Sequence, residues 1–364
     1  MSRLAPYLGI IAGLLCGSFI IFFSSRTTVV YIPATVVIPE VVSHVSTTTT
    51  STQTIAPAER APSKVVSTTI PVPPPSSGRS AALTAAGSAL IDALVNIICY
   101  APAGSALHSI SASGVFIDPK GIILTNAHVA QYFLLADKGV SCTIRSGTPA
   151  ADRYTADLIY ISPTWLKKNP SVLTETLPNG TGEYDFAFLA VSQSAPRKDS
   201  GQATTTMSLP ASFPFVPLAT VSPFTDTPVV IASYGAQFLE PSQIISTLFP
   251  TMVFGSVKDV FTFATNTIDV LSLGGSAIAQ EGSSGGGVAN VDEELVGIIT
   301  TSTVSGATDT RSLSAITASY IRSEYASETG KPLNTLLFRS SSFSIANFSQ
   351  QIPALESIIT VNLP

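Results

Sequence analysis

At 364 residues the chain has room for one large or two modest domains, and its 45% hydrophobic against 11% charged residues exclude a wholly disordered polypeptide. A formal net charge of −5 with no long run of Lys or Arg removes the basic footprint that phosphate neutralisation demands, and nucleic-acid binding with it. Ser, Thr, Gly and Pro fill much of the remainder, a composition that suits a β-rich body joined to a polar tether.

Residues 4–23 carry no charge and, at about 1.5 Å per helical residue, match a hydrocarbon layer about 30 Å thick. Two readings fit: a retained transmembrane signal anchor, or a long secretion signal that is removed. The length of the apolar run and the lack of a clean small-x-small cleavage site favour the anchor. Cys16 follows the bulky Leu15, which makes lipidation the minor reading. Arg3 and Arg26 flank the run evenly, so the positive-inside rule gives no orientation. Residues 24–80 form a Ser/Thr/Pro-rich linker with little to bury, and His44 within it is expected to be solvated. A tether directly after a membrane helix makes sense if it holds a domain away from the bilayer, which places a short N-terminus inside and the bulk outside the cytoplasm. If the apolar run is cleaved, the product is secreted.

Order is expected from residue 81 to residue 330. Leu83, Leu90, Ile91 and Leu94 predict a short helix running into a β-rich stretch, Val95 to Tyr100. "ASGVFID" and "GIILT" flank Asp118-Pro119-Lys120-Gly121, the composition of a tight turn, and predict a hairpin that ends at "NAHVA". Further apolar runs in "FAFLAV", "PVVIASYG", "DVFTFATNTIDVLSL" and "ELVGIITTST" are separated by Gly, Pro, Asn and Asp, which predicts an all-β sandwich or barrel. Leu313, Ile316, Tyr320 and Ile321 share one helical face ahead of Gly330 and Pro332, so a terminal helix is predicted. Residues 331–364 are a tail too short for another common domain.

Chemistry has few places to sit. Cys99 and Cys142 lie in apolar stretches of a chain read as exported; they form either a disulfide or two buried thiols. Of the three histidines, only His128 follows a strand. Asp185 stands immediately before an apolar strand, a costly place for a carboxylate without a donor, and histidine is one such donor. Gly282-Ser283-Ser284-Gly285-Gly286 lies between two sheet segments, which is not where a free spacer belongs. Its glycines let the amides of Gly282 and Ser284 converge on one spot, an oxyanion hole, with the Ser284 hydroxyl beside it. The cysteines are dispersed and the histidines do not pair at ligand spacing, so no metal or other cofactor is expected.

Together "TNAHV", "YDFAFL" and "GSSGG" resemble, in order, the His, Asp and Ser motif blocks of the chymotrypsin/trypsin-like serine proteases, and "SGVFIDPKGIILTNAHV" is similar to the segment before histidine in bacterial HtrA-type members. The resemblance implies two six-stranded β-barrels over residues 81–330, with Ser284 as nucleophile, His128 as general base and Asp185 orienting the imidazole. It implies a primary pocket with Ile278 at its base and a wall near Thr300, Thr301 and Ser302, suited to a small or medium apolar side chain. The substrate is then a polypeptide, extended or locally unfolded. Three departures narrow the carry-over. Ser283 stands where animal digestive proteases have an aspartate that pairs with a new N-terminus, Gly287 replaces a frequent proline, and nothing after Gly330 is long enough for a PDZ domain. The expected function is a membrane-tethered, extracytoplasmic serine endopeptidase. Its rivals are a β-barrel with an inert glycine-rich turn, a catalytically silent peptide-binding module, and a surface adhesin.

Overall fold

In the computed structural model the described residues are 77–175, 180–196, 208–263, 267–302, 307–361 and 363. The apolar run 4–23 with Cys16, and the linker up to residue 76 with His44, lie outside them. No helix among the described residues is long and apolar enough to cross a membrane. Helix α1 (Ser77–Ala93) passes directly into β1 (Leu94–Tyr100), as the change from helical periodicity to "LVNIICY" predicts. It begins before the expected linker boundary, so residues 77–80 are helical.

The predicted hairpin forms as β2 (Ile110–Asp118) and β3 (Ile122–Thr125). Its turn is fixed by Asp118, which accepts the Lys120 N–H on its side chain at 2.8 Å and the Gly121 N–H on its carbonyl at 3.1 Å. After α2 (Ala127–Ala130) and a 3-10 segment, Gln131–Lys138, come β4 (Ser141–Ser146), β5 (Ala151–Ile161), α3 (Pro163–Lys168) and β6 (Ala187–Ser194). These six strands close into a barrel in the order β1-β2-β3-β6-β5-β4. The fully buried Ile97, Val115, Ile123, Ile144 and Leu189 belong to its strands. Cys99 and Cys142 are direct cross-strand partners on β1 and β4 and form a disulfide.

The second half departs from the expected six-stranded barrel. It consists of β7 (Pro228–Ser233), α4 (Pro241–Ser246), β8 (Thr251–Ser256), β9 (Asp259–Phe261), β10 (Val270–Ser272), β11 (Gly287–Ala289), β12 (Leu295–Ser302) and β13 (Leu313–Thr317). Its seven strands make a half-barrel sheet in the order β8-β7-β11-β12-β13-β10-β9. At residues 257 and 258 the chain changes partner: the Val257 N–H donates to Thr227 O at 3.0 Å, beside β7, and the Lys258 N–H to Ser272 O at 2.8 Å, in β10. One stretch of chain is thereby divided into β8 and β9, the two ends of the sheet.

The terminal helix is also shorter than its apolar spacing predicts. Leu313 and Ile316 lie in β13, which pairs with β12 and β10, and helix α5 (Ala318–Thr329) starts only after Thr317, whose Oγ1 accepts the Tyr320 N–H at 3.1 Å. The interstrand hydrogen bonds of β13 outweigh a helical periodicity that a strand buried on both faces also produces. Beyond Gly330 the tail forms α6 (Asn334–Leu337), α7 (Ser341–Ser349) and α8 (Ile352–Thr360). Helix α7 lies along β5 and β6, and α8 packs on α3 and the 3-10 segment. Phe348, Leu355 and Ile359 are buried there, and Lys138 pairs with Glu356 at 3.0 Å.

Candidate active site

Pairing of β3 with β6 aligns Thr125 with Ala187, so the residues just beyond β3 meet those just before β6. His128, in α2, thereby faces Asp185. The ring Nδ1–H donates to Asp185 Oδ2 at 2.8 Å and the His128 backbone N–H to Oδ1 at 2.9 Å. Asn126 Nδ2 donates to the Asp185 carbonyl at 2.9 Å, and Thr300 Oγ1 to Oδ2 at 2.9 Å. Asp185 is 5% exposed, and three donors to its carboxylate offset the cost of that burial. With Nδ1 carrying the proton, Nε2 is the basic nitrogen of the neutral ring.

The approach to Asp185 is itself held. Tyr184 adopts φ +60°, a left-handed conformation that is uncommon for a bulky residue, and its N–H donates to the Tyr320 hydroxyl at 3.0 Å. Burial pushes the Tyr320 phenol far above its ordinary range, so the acceptor stays a neutral hydroxyl.

The loop that carries Ser284 reaches the first barrel from the other sheet. The Ser284 carbonyl accepts from Ser113 N–H at 2.8 Å, and the Gly285 N–H donates to Ile299 O, the residue before Thr300, at 2.9 Å. Gly285 has φ +80°; an added Cβ would run into the Ser113 carbonyl and approach Thr125 Oγ1 to 2.5 Å. Ser284 is thus fixed between the β2–β3 hairpin that leads to His128 and the strand that supports Asp185. Among the hydrogen bonds of the described residues, none joins the Ser284 hydroxyl to the His128 imidazole.

The carbonyls of this loop are all satisfied, while some of its N–H groups are not. From Ile278 to Ser284 every carbonyl accepts a hydrogen bond. Gln280 N–H and Ser283 Oγ serve Ile278, and Arg311 Nη1 serves Ala279. Ser283, Ala236 and Gly286 N–H serve Gln280, Glu281 and Ser283, while Ser113 serves Gly282 through Oγ and Ser284 through its N–H. In a trans peptide the C=O of one residue and the N–H of the next point in opposite directions. Glu281 C=O turned onto Ala236 N–H at 2.8 Å therefore turns the Gly282 N–H away from that loop, and Ser283 C=O on Gly286 N–H at 2.9 Å does the same for Ser284. Neither the Gly282 nor the Ser284 N–H donates to a protein acceptor among the described residues. Gly282 has φ +91°, and a Cβ there would meet Tyr234 O at 2.6 Å.

The residues expected around a substrate pocket have mixed placements. Ile278 is fully buried, and the Thr300 hydroxyl is committed to Asp185. Thr301 and Ser302 continue β12 opposite Ser314 and Leu313. Ser283 is 1% exposed; its hydroxyl donates to the Ile278 carbonyl and accepts from Ser233, a neutral tie. Sequence reasoning did not single out Asn126, Ser113, Ala236 or Arg311. Ser113 had a readable signal, a hydroxyl inside the apolar strand "ASGVFID". The other three act through contacts that only folding creates.

A closed barrel beside a half-barrel, with an Asp–His pair and a glycine-bounded serine at their junction, defines the trypsin-like fold of serine peptidases. Residues 112–298 match the model of the trypsin-like peptidase domain, and the chain belongs to that family; it is a serine-type peptidase. Solved structures similar to it include an inactive form of Rv3671c from M. tuberculosis H37Rv, 17% identical over 72% of this chain and 98% of that one, TM-score 0.41. Another is the active form of the Rv3671c protease from M. tuberculosis, 18% identical over 77% and 96%, TM-score 0.42. No curated protein matches the chain.

Proposed function

We propose that the chain hydrolyses peptide bonds internally in polypeptides through Ser284, His128 and Asp185. The observation that carries this reading is the Asp185 carboxylate, bonded to His128 at 2.8 and 2.9 Å, beside two undirected N–H groups in the nucleophile loop. When a substrate carbonyl enters, Ser284 Oγ bonds to its carbon and the hydroxyl proton passes to His128 Nε2. The carbonyl oxygen becomes an oxyanion that takes hydrogen bonds from the Gly282 and Ser284 N–H groups, a contact whose loss costs about 3 kcal/mol in the barrier. Collapse breaks the C–N bond, the imidazolium protonates the leaving amine, and water activated by the same ring releases the acyl group. Asp185, with Thr300 behind it, keeps Nδ1 protonated and the ring oriented. The step uses side chains and backbone amides alone. By the family resemblance, Ile278 and the β12 segment Thr300–Ser302 would form the pocket for the substrate side chain preceding the cut, and no acid stands at Ile278 to favour Arg or Lys.

The test is proteolysis of a permanently unfolded, carboxymethylated protein. Ser284→Ala and His128→Ala each lower the rate by at least about 10⁴-fold with the circular dichroism spectrum unchanged. Equal turnover by the Ser284→Ala chain contradicts the reading.

For location, the uncharged run 4–23 and the linker after it support an anchored catalytic unit outside the cytoplasm. Alkaline carbonate extraction decides between the two forms: the anchored chain stays with the membrane pellet, a cleaved and secreted one does not.

A further inference from the structure

We propose that Arg311 is a positioning residue for the oxyanion hole, cross-linking the segment 236–238 to the nucleophile loop so that the Gly282 N–H is held toward the substrate; this rests on the hydrolytic reading above. Arg311 is 5% exposed. Its Nη1 donates to Ala279 O at 2.6 Å and to Gln237 Oε1 at 2.6 Å, and its guanidinium lies over the Phe238 ring at 5.6 Å. One planar cation thus touches both sides of a junction that the Ala236 N–H to Glu281 O bond at 2.8 Å also ties. That tie is the one that turns the Glu281–Gly282 peptide.

The argument is geometric. Gly282 at φ +91° sits in a loop whose glycines leave the backbone free to rotate, and a peptide flip would aim the Glu281 carbonyl into the site in place of the Gly282 N–H. The bond from Ala236 N–H to Glu281 O opposes that flip. Residue 236 begins a loop that runs through α4 to β8, and its far end is held to the first barrel by Arg145, which donates to Ile244 O at 2.9 Å and also to Ile245 O. Its near end, beside the oxyanion hole, is held through Gln237 and Phe238 to Arg311. A guanidinium suits this task because one nitrogen serves two acceptors while the plane covers an aromatic ring; an ammonium has no such face. Arg311 touches none of the reacting groups, so its effect should appear in stabilisation of the developing oxyanion and leave proton transfer through His128 intact.

A fluorophosphonate probe reads both properties in the full chain, since its phosphoryl oxygen uses the same hole and its labelling rate follows the ionisation of the base. Relative to wild type, Arg311→Met is expected to label about 10- to 100-fold more slowly with the midpoint of its pH–rate profile unchanged, and Arg311→Lys to fall between. Where Arg311→Met does not fold, Gln237→Ala removes the other end of the same tie and is expected to slow labelling about threefold or more, again with the midpoint unmoved. Undiminished labelling by a folded Arg311→Met, or by Gln237→Ala when that variant stands in, overturns the proposal. So does a slower rate accompanied by a shifted midpoint, which would place the effect in the His128–Asp185 pair. A wild-type chain that never labels overturns the hydrolytic reading and this proposal together, whereas wild-type labelling with no Arg311 effect overturns this proposal alone.

Discussion

Asp185 accepts from the His128 ring, the His128 backbone and Thr300, and each donor has a different job. The backbone bond fixes the distance between α2 and the carboxylate, the ring bond sets the tautomer, and the Thr300 hydroxyl links both to the strand that holds Gly285. Thr300→Val preserves shape and removes only the hydroxyl, so kcat/KM on a peptide substrate is expected to fall about 10-fold, equivalent to one hydrogen bond of about 1.4 kcal/mol. An unchanged kcat/KM would make that bond incidental. His128, Asp185 and Ser284 could be picked out from the sequence because chemistry restricts residue type at each: a histidine after a strand, a carboxylate before a buried one, a serine among glycines. Thr300 could not be assigned the same way, since any position on a buried strand accepts threonine, and only the fold aligns its hydroxyl with a carboxylate 115 positions away. Arg311 was opaque for the same reason, its acceptors Gln237 and Ala279 lying 74 and 32 positions distant.

Among the elements, the β2–β3 hairpin and the α1–β1 junction were readable because their signals are local: a turn composition in one case, a change of apolar period in the other. The β8/β9 break and the start of α5 were not, because both depend on where N–H groups find acceptors in neighbouring strands. Helix α5 carries a further consequence. Glu324 on this helix has its carboxyl raised above the usual range, first by burial and then by the carboxylates of Glu328, Asp269 and Glu183, with Lys168 opposing. The folded chain therefore holds this proton more tightly than the unfolded chain does. Its stabilising contribution is complete below the unfolded carboxylate value and is lost as pH rises through the higher folded value. Glu324→Gln is expected to melt about 1 °C above wild type at neutral pH, with the difference vanishing near about pH 4. A melting difference that stays constant with pH would remove the titration as its cause.

Across the whole molecule, function depends on two sheets being registered against each other. Ser113 of the first barrel donates to the carbonyls of Gly282 and Ser284, Thr300 of the half-barrel donates to Asp185, and α7 and α8 return the end of the chain to the first barrel behind the His128 segment. The His–Asp pair thus comes from one sheet and Ser284, the proposed nucleophile, from the other. Their meeting is the central claim, and the position of a covalent adduct tests it most directly. Peptide mapping by mass spectrometry after fluorophosphonate treatment is expected to find one modified residue, Ser284, in the wild-type chain and none in His128→Ala. Modification elsewhere, or equal modification of Ser284 without His128, would contradict the account.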